Sequence, residues 1–495
     1  MEKVLKNIGF LVLILISLVN ITIGKEPMRI GVPDFPTETT SPFSTFTVPA
    51  ALPLDSVFDT LTVINKTGET KPGLAVHWEE ISPTEWVFQL RKSVVFSNGK
   101  AFTAAAVVST VDTLLSQAGS QSSLGTTLRR IGVLEAIQLS KTTVKFIIKK
   151  PDILFPQYMS TLRIPEPASV LPNSTNYPIG TGPYTIKAWG HGIIKLTANQ
   201  KSWRKPIEEE VEIIQLPDVS SRTQGLISGS LDIAFGLTAD DIIFVEAAGG
   251  SVWIREEPGS HFLAFVTVKD SPVQDVRVRR ALNHAVNKRR IIQAFLKNKT
   301  KPNSQIAHNM SFGYNKSLSP YTYNPILARN LLREAGYENG FELPTLFKAG
   351  GSGSSQDWYQ QIAADLNAIG VTTTLRPARL SSYFEYMYNG GWPALAFGMS
   401  TYTFDPLAAY RIRSCEWKHP YHCDPGIMPL IIKARAARTL EHRKVLTQAV
   451  LEYEHKNPPG IFLWQGISFE GIGKRIKFYK SYADTIEIEN IALRH

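Results

Sequence analysis

Strand-like and helix-like segments alternate over the second half of this chain, and that alternation limits its possible folds more than any other feature. The short segments 370–376 (GVTTTLR) and 394–399 (ALAFGM) are rich in β-branched or apolar residues, as strands are. Helical periodicity marks the segments 325–335, 356–368 and 426–456 around them. Because strands that alternate with helices pack as layers of both kinds, the sequence predicts a mixed α/β lobe here.

The most helical stretch of the chain is 275–296, where Asp275 is the expected N-cap. Its basic residues are spread around the helix without interleaved aromatic residues, which favours a solvated face over a nucleic-acid site. In the first half, residues 61–98 follow a strand and turn pattern. The remaining predicted elements are helices over 103–116 and 220–228 and strands over 142–152, 193–198, 211–216 and 231–235.

The octapeptide YPIGTGPY (177–184) places two glycines and two prolines close together and admits two interpretations. A phosphate-binding loop needs free backbone N–H groups that lead into a helix. Pro183 lacks that N–H, and the residues after it alternate as a strand does. The sequence therefore predicts a sharp turn that enters a strand.

The N-terminus has the pattern of a secretory signal peptide. Lys3 and Lys6 precede an apolar run over 8–19, which is followed by small residues up to Gly24. No cysteine lies near the expected cleavage point, so a lipid anchor is not predicted. We therefore expect a periplasmic protein of about 470 residues, enough for two or three packed domains. The formal net charge of +10 is spread out, and nucleic acid is not an expected partner.

The only two cysteines, Cys415 and Cys423, bound the segment CEWKHPYHC. In an oxidising compartment this pair favours a disulfide that closes a small loop. The same segment contains His419 and His422, so a zinc site is the alternative.

No arrangement of catalytic residues stands out. The chain lacks the G-x-S-x-G and H-E-x-x-H motifs, and Ser97 to Lys100 fits a hairpin turn better than a serine nucleophile with its lysine. An enzyme is not predicted, and a secreted hydrolase remains the alternative from another functional class.

Several motifs occur in an order that resembles one protein family. KPGLAVHW (71–78), WVFQLRKSVVFSNGKAFTAAAVVST (86–110), YPIGTGPYTIKAW (177–189) and SGSLDIAFGL (228–237) precede HFLAFVTVKDSPVQDVRVRRALNHAVNKRRII (261–292) and QQIAADLNAIGV (360–371). This order is similar to that of the family 5 extracellular solute-binding proteins, the peptide and nickel receptors of bacterial ABC importers. The resemblance covers nearly the whole mature chain.

The resemblance implies a two-lobed periplasmic binding protein-like fold (type II) with an extra subdomain on the larger lobe. Closure of the lobes on a ligand then requires no covalent chemistry. It implies a monomer without a cofactor that delivers its solute to an ABC permease complex in the inner membrane. The implied organisation is a signal peptide over 1–24, a lobe I core over 25–52, 178–262 and 465–495, a lobe I subdomain over 53–177, and lobe II over 263–464.

The resemblance also implies a ligand class, a small peptide or peptide-like solute. Family receptors for peptides hold the amino terminus through an aspartate after the strand that ALAFGM resembles, and Asp405 is the only acid in STYTFDPLAAY. The predicted aromatic walls of the cleft are Phe46, Trp392, Tyr402 and Phe404, since such pockets are mostly apolar.

The alternative is a nickel chelate. The family's nickel receptors use an arginine in the segment that resembles STLRIP, here Arg163. They also use a histidine after the Asp-Pro helix, here His419 or His422. Small carboxylate chelates of nickel need little more than one imidazole and a cationic group.

Overall fold

The computed structural model describes residues 26–36, 42–44, 48–117, 119, 122–170, 177–348, 355–402, 404–483 and 485–494. The predicted signal peptide and Phe46 lie outside these residues, and the side chain of Tyr402 is not described. Within the described residues, no helix is long and apolar enough to cross a membrane.

Strands and helices alternate as the sequence predicts. The strands are β1 (Met28–Val32), β2 (Thr62–Ile64), β3 (Thr70–Pro72), β4 (Ala75–Ser82), β5 (Glu85–Leu90), β6 (Val133–Ser140), β7 (Thr143–Ile148), β8 (Tyr184–Gly190), β9 (Ile193–Ala198), β10 (Glu210–Gln215), β11 (Ile233–Leu237), β12 (Ser251–Phe265), β13 (Phe341–Glu342), β14 (Thr345–Lys348), β15 (Val371–Thr372), β16 (Leu375–Ala378), β17 (Ala396–Tyr402), β18 (Gly460–Ile472), β19 (Ile476–Phe478), β20 (Ser481–Tyr482), β21 (Thr485–Ile486) and β22 (Ala492–Leu493).

The α-helices lie between these strands. They are α1 (Leu52–Val57), α2 (Ala104–Leu115), α3 (Ser123–Ile131), α4 (Phe155–Tyr158), α5 (Val219–Ser228), α6 (Ile242–Ala247), α7 (Val276–Ala285), α8 (Lys288–Leu296), α9 (Pro325–Glu334), α10 (Ser355–Asn367), α11 (Leu380–Asn389), α12 (Pro406–Arg413), α13 (Met428–Arg435) and α14 (Leu440–Lys456).

A ten-stranded sheet runs through the molecule in the order β16-β14-β17-β12-β18-β11-β1-β10-β9-β8. Its centre is the antiparallel pair β12 and β18, which stay in contact from Ser251 opposite Ile472 to Ala264 opposite Gly460. The register shifts between Glu256 and Ser260, on either side of Pro258 and Gly259. The expected boundary between the two lobes falls within these two strands, and the sheet is continuous across that boundary.

A separate four-stranded antiparallel sheet, in the order β4-β5-β7-β6, lies within the segment expected to form the extra subdomain. Helix α2 contacts β6 and β7 of this sheet, and α3 contacts β6. Phe88, Phe146 and Phe155 meet edge to face in its core, with ring centroids 5.3 to 6.0 Å apart. The three phenylalanines are almost fully buried, so this sheet has a hydrophobic core of its own.

The stretch 275–296 is two helices, α7 and α8, where the sequence predicted one. Val286 is extended, and the side chain of Asn287 accepts a hydrogen bond from the N–H of Arg290 as the cap of α8. The predicted solvated face is also wrong at two positions. Arg279 and Lys288 are 6% and 3% exposed and donate to backbone carbonyl groups of the core.

The stretch 426–456 is likewise divided into α13 and α14. The break precedes Thr439, whose side chain accepts from the N–H of His442 and caps α14. A polar side chain that accepts a hydrogen bond from an N–H of the first turn starts a new helix. The apolar periodicity of the segment contains no signal for this break.

The octapeptide 177–184 is a turn that enters strand β8, as predicted. Its glycines press against the end of α1, where the N–H of Gly182 donates to the carbonyl of Val57 at 2.9 Å. A Cβ at Gly180 or Gly182 would lie 2.0 or 2.6 Å from a backbone oxygen of α1. The glycines are therefore required by close packing of backbones.

Candidate functional site

A cavity of about 470 Å³ is lined by segments that are far apart in the sequence. One side, which we call the first wall, is formed by lining residues within 55–73, 157–163, 203–204 and 482–489. The other side, which we call the second wall, is formed by Pro258, Phe404 and Asp405. By the expected boundaries, Phe404 and Asp405 belong to lobe II and the rest of the lining to lobe I. A cavity of this size accommodates a small organic solute.

Arg163 lines the cavity, and its guanidinium is held by Asp55 of the first wall and by the backbone of Ser44, which is outside the lining. Its Nε and Nη2 donate to Oδ1 of Asp55 at 2.9 and 2.7 Å, and its Nη1 donates to the carbonyl of Ser44 at 2.9 Å. The side chain of Asp55 is 40% exposed, whereas that of Arg163 is 8% exposed. The positive charge of Arg163 at the cavity is therefore compensated by Asp55.

A second arginine of the first wall, Arg204, bridges two carboxylates. Its Nε lies 2.8 Å from Oδ1 of Asp59, and its Nη1 lies 2.5 Å from Oε1 of Glu489. Burial raises the pKa of Glu489, and the charge of Arg204 opposes that shift. Arg204 thus forms ion pairs with two acids. Since Asp59 follows α1 and Glu489 lies near the C-terminus, these pairs connect the C-terminal segment to the end of α1.

Glu487 stands apart from the other acids of the cavity because its partners are neutral. Its Oε1 accepts from the hydroxyl of Tyr482 at 2.9 Å, and its Oε2 accepts from the amide of Asn490 at 2.7 Å. Within the described part of the chain, no lysine, arginine or histidine forms an ion pair with it.

Asp405 belongs to the second wall, and it is 2% exposed. Its Oδ1 accepts from the N–H of Leu407 and caps α12. Its Oδ2 accepts from the hydroxyl of Tyr158 at 2.7 Å and lies 3.3 Å from Nη2 of Arg443. The Tyr158 bond joins the two walls, and Arg443 supplies the carboxylate with a buried counter-charge.

Three of the predicted ligand contacts, Arg163, Phe404 and Asp405, thus meet at one cavity. Trp392 does not line it. Its indole is 2% exposed and stacks on Phe397 within a hydrophobic cluster, with ring centroids 3.9 Å apart. The backbone of Tyr402 lies on β17 opposite Gly259. The charged cavity contacts that sequence reasoning did not include are Asp55, Asp59, Arg204, Glu487 and Glu489.

Cys415 and Cys423 are bonded to each other, which confirms the predicted disulfide and removes both from any zinc site. Neither histidine of this loop lines the cavity. Nδ1 of His422 lies 2.9 Å from the hydroxyl of Thr267, and burial lowers the pKa of His422 to about 3. His419 lies beside Gly390. Among the described residues, no three His, Cys, Asp or Glu side chains are grouped as metal ligands would be.

One serine–histidine contact has the atoms of a nucleophile and a base. Oγ of Ser400 lies 2.8 Å from Nδ1 of His261. The two residues face each other across β17 and β12, and the imidazole contacts Trp358 and Trp464. Burial lowers the pKa of His261 to about 4, and the described residues provide no carboxylate bonded to its other nitrogen. The pair lacks the third group that orients such a base.

The family model of bacterial extracellular solute-binding proteins, family 5 (middle), matches residues 69–417. The chain belongs to this family. The glutathione-binding protein GsiB of Escherichia coli (strain K12) is 25% identical over 347 residues, which cover 66% of this chain and 66% of GsiB.

Solved structures of similar fold cover nearly the whole of this family 5 protein. The periplasmic binding protein DppA of Helicobacter pylori, in complex with the peptide STSA, aligns with a TM-score of 0.79 and 20% identity over 94% of this chain and 98% of DppA. NikA of Brucella suis, in complex with Fe(III)-EDTA, aligns with a TM-score of 0.83 and 22% identity over 95% of this chain and 100% of NikA. These likenesses establish the type II binding-protein fold.

The acidic residues of the first wall lie outside the range that the family model matches. Asp55 and Asp59 precede residue 69, and Glu487 and Glu489 follow residue 417. Only the fold brings the two ends of this solute-binding protein together, so no local motif could have indicated these contacts.

Proposed function

We propose that this family 5 protein captures a short peptide or peptide-like amine in the cavity between its walls and delivers it to an ABC permease of the inner membrane. The observation that carries the proposal is the cavity itself, whose lining has more carboxylates than arginines and retains aromatic surface at Phe58, Trp203 and Phe404. Carboxylates suit an ammonium group, and apolar walls suit peptide side chains. The peptide in the complex of DppA and the glutathione in the name of GsiB agree with this ligand class.

We propose that the two walls close around the ligand. The register shift beside Pro258 and Gly259 interrupts β12 next to the cavity, and a bulge in a central strand is a place where a sheet bends. A ligand in the cavity contacts both sides of that bend, so it stabilises the closed form. Arg163, Phe404 and Asp405 are its proposed contacts, and an incoming ammonium shares Asp405 with Arg443. The proposed mechanism includes no turnover.

The first test identifies the ligand. Mature protein, starting near Lys25 after export and free of lipid, is purified and its bound solute is identified by mass spectrometry and metal analysis. A thermal-shift panel of short peptides, nickel with and without free histidine, and opine-like amino-acid conjugates follows. We expect stabilisation by peptides and monomeric behaviour. Stabilisation by nickel–histidine alone contradicts the peptide proposal, and steady hydrolysis of a peptide contradicts the receptor role.

A further inference from the structure

The charge of the cavity is opposite in sign to that of the chain. The whole sequence has a formal net charge of +10. The cavity lining, by contrast, contains five carboxylates and two guanidinium groups. The carboxylates are Asp55, Asp59, Asp405, Glu487 and Glu489, and the cations are Arg163 and Arg204.

The ion pairs of the chain leave part of this negative charge uncompensated. Arg163 pairs with Asp55, and Arg443, which stands behind the second wall, pairs with Asp405. Arg204 is shared by Asp59 and Glu489, so one cation compensates two acids. With Arg443 included, five acids face three arginines, which leaves an excess of two negative charges.

Among the described residues, Glu487 is the acid of the lining that forms no ion pair. The hydroxyl of Tyr482 and the amide of Asn490 each donate one hydrogen bond to it, and neither carries charge. A carboxylate in a partly enclosed cavity gains most from a cation that enters with the ligand, because the surrounding protein screens charge less than water does. Phe58, Trp203 and Tyr482 provide apolar surface in the same lining, along which the methylene groups of a long basic side chain can lie.

We infer that the cavity selects peptides with a lysine or arginine side chain and that Glu487 is the counter-charge of that side chain. This inference rests on the proposed peptide-binding function and adds a preference to it. The residue that sets the preference lies in the C-terminal segment, beyond the residues that the family model matches.

The experiment compares three tripeptides that differ at one side chain. Ala-Lys-Ala, Ala-norleucine-Ala and Ala-Glu-Ala are titrated calorimetrically into the wild-type protein, into Glu487→Gln and into Glu209→Gln. Glu209 is an exposed acid outside the cavity lining and is the matched control. The norleucine peptide keeps the linear alkyl side chain but not the charge.

We expect the wild-type protein and Glu209→Gln to bind the lysine peptide at least about tenfold more tightly than the norleucine peptide. In Glu487→Gln that ratio should fall by about tenfold, with the norleucine affinity unchanged, and the glutamate peptide should bind most weakly to the wild type. Tyr482→Phe removes a hydrogen bond of the same turn and keeps the charge, so the ratio should persist in that variant. Added salt should weaken lysine-peptide binding more than norleucine-peptide binding.

The possible outcomes distinguish a failure of the inference from a failure of the proposed peptide-binding function. Equal binding of the lysine and norleucine peptides by the wild type overturns the inference and leaves the proposed function standing. A ratio that is unchanged in Glu487→Gln, with only a lower melting temperature, shows that Glu487 merely holds the turn and also overturns it. If Glu487→Gln does not fold, the wild type alone provides the test. The inference is then overturned if added salt weakens the binding of the lysine and norleucine peptides equally. Binding of none of the three peptides contradicts the proposed function and the inference with it.

Discussion

The two walls of the cavity use ion pairs in different settings. On the first wall one member of each pair meets solvent, since Asp55 is 40% exposed and Arg204 is 24% exposed, whereas the partners Arg163, Asp59 and Glu489 are at most 8% exposed. At and behind the second wall, Arg443–Asp405 and Arg413–Glu454 are at most 3% exposed. Exposed pairs contribute little to stability, whereas a buried charge that loses its partner is costly. The difference teaches that the second wall is a fixed framework and that the first wall is where charge can be adjusted to a ligand.

The buried side is also incompletely hydrogen-bonded. Nε and Nη1 of both Arg413 and Arg443 have no hydrogen-bond acceptor among the described residues. Arg413 stacks over the ring of Tyr410, with its guanidinium carbon 4.2 Å from the ring centroid. The aromatic face and the single carboxylate of Glu454 compensate this cation together. We therefore expect substitutions at the buried Arg413–Glu454 pair to be destabilising.

The largest expected effect comes from breaking the fully buried pair. Arg413→Met leaves Glu454 buried without its cation and should lower the free energy of unfolding by about 3–5 kcal/mol. Urea unfolding at neutral pH measures it. Arg413→Met combined with Glu454→Gln removes both charges and should recover a large part of the loss. Equal stability of the single variant and the wild type would contradict the fixed-framework interpretation.

Asp405→Asn is expected to have the next largest effect. The amide keeps an oxygen for the N–H of Leu407 but removes the counter-charge of Arg443 and of any bound ammonium. If a peptide amine binds here, affinity should fall by about 2–5 kcal/mol. His419→Ala and His422→Ala should then leave binding nearly unchanged. Loss of binding in a histidine variant, with Asp405→Asn affecting stability alone, would instead indicate the nickel chelate.

The sequence predicted the cavity contacts of the second wall better than those of the first wall. Asp405 was predicted from the resemblance to the family's peptide receptors and Arg163 from that to its nickel receptors. Phe404 was predicted as an aromatic residue of a mostly apolar pocket. Asp55, Asp59, Glu487 and Glu489 come from opposite ends of the chain and meet only in the fold, where β1 and β18 flank β11 in the sheet. Helix and strand types followed from periodicity, whereas the breaks at Asn287 and Thr439 depended on single capping side chains.

Acid should destabilise the buried side through histidines that are kept neutral. His308 is 1% exposed and lies two residues after Ile306, whose carbonyl accepts from the hydroxyl of Thr401 in β17. Burial lowers the pKa of His308 to about 4. Between that value and the ordinary pKa of 6.5 the unfolded chain binds the proton, so stability falls as pH drops through this window.

The contribution of His308 to that loss should be about 2 kcal/mol between pH 7 and pH 5. His308→Asn keeps an acceptor for the N–H of Met310, which donates to Nδ1 of His308, but does not titrate. The variant should be less stable at pH 7 and should lose less stability on acidification. Melting temperatures at the two pH values measure this, and an identical pH dependence of variant and wild type would contradict it.

The smallest expected effect on stability belongs to the Arg163–Asp55 pair of the first wall, in which the acid meets solvent. Asp55→Asn releases Arg163 from its counter-charge and makes the cavity less negative by one charge. Because Asp55 is 40% exposed and asparagine keeps an oxygen for the two hydrogen bonds from Arg163, the free energy of unfolding should fall by only about 1 kcal/mol. Binding of a lysine-containing peptide should nevertheless weaken by about threefold or more, since the released guanidinium repels it across the cavity. Titration of the lysine and norleucine tripeptides checks this, with Glu209→Gln as the control. A loss of several kcal/mol in stability would place Asp55 with the fixed framework of the second wall, and the contrast between the two walls would then not hold.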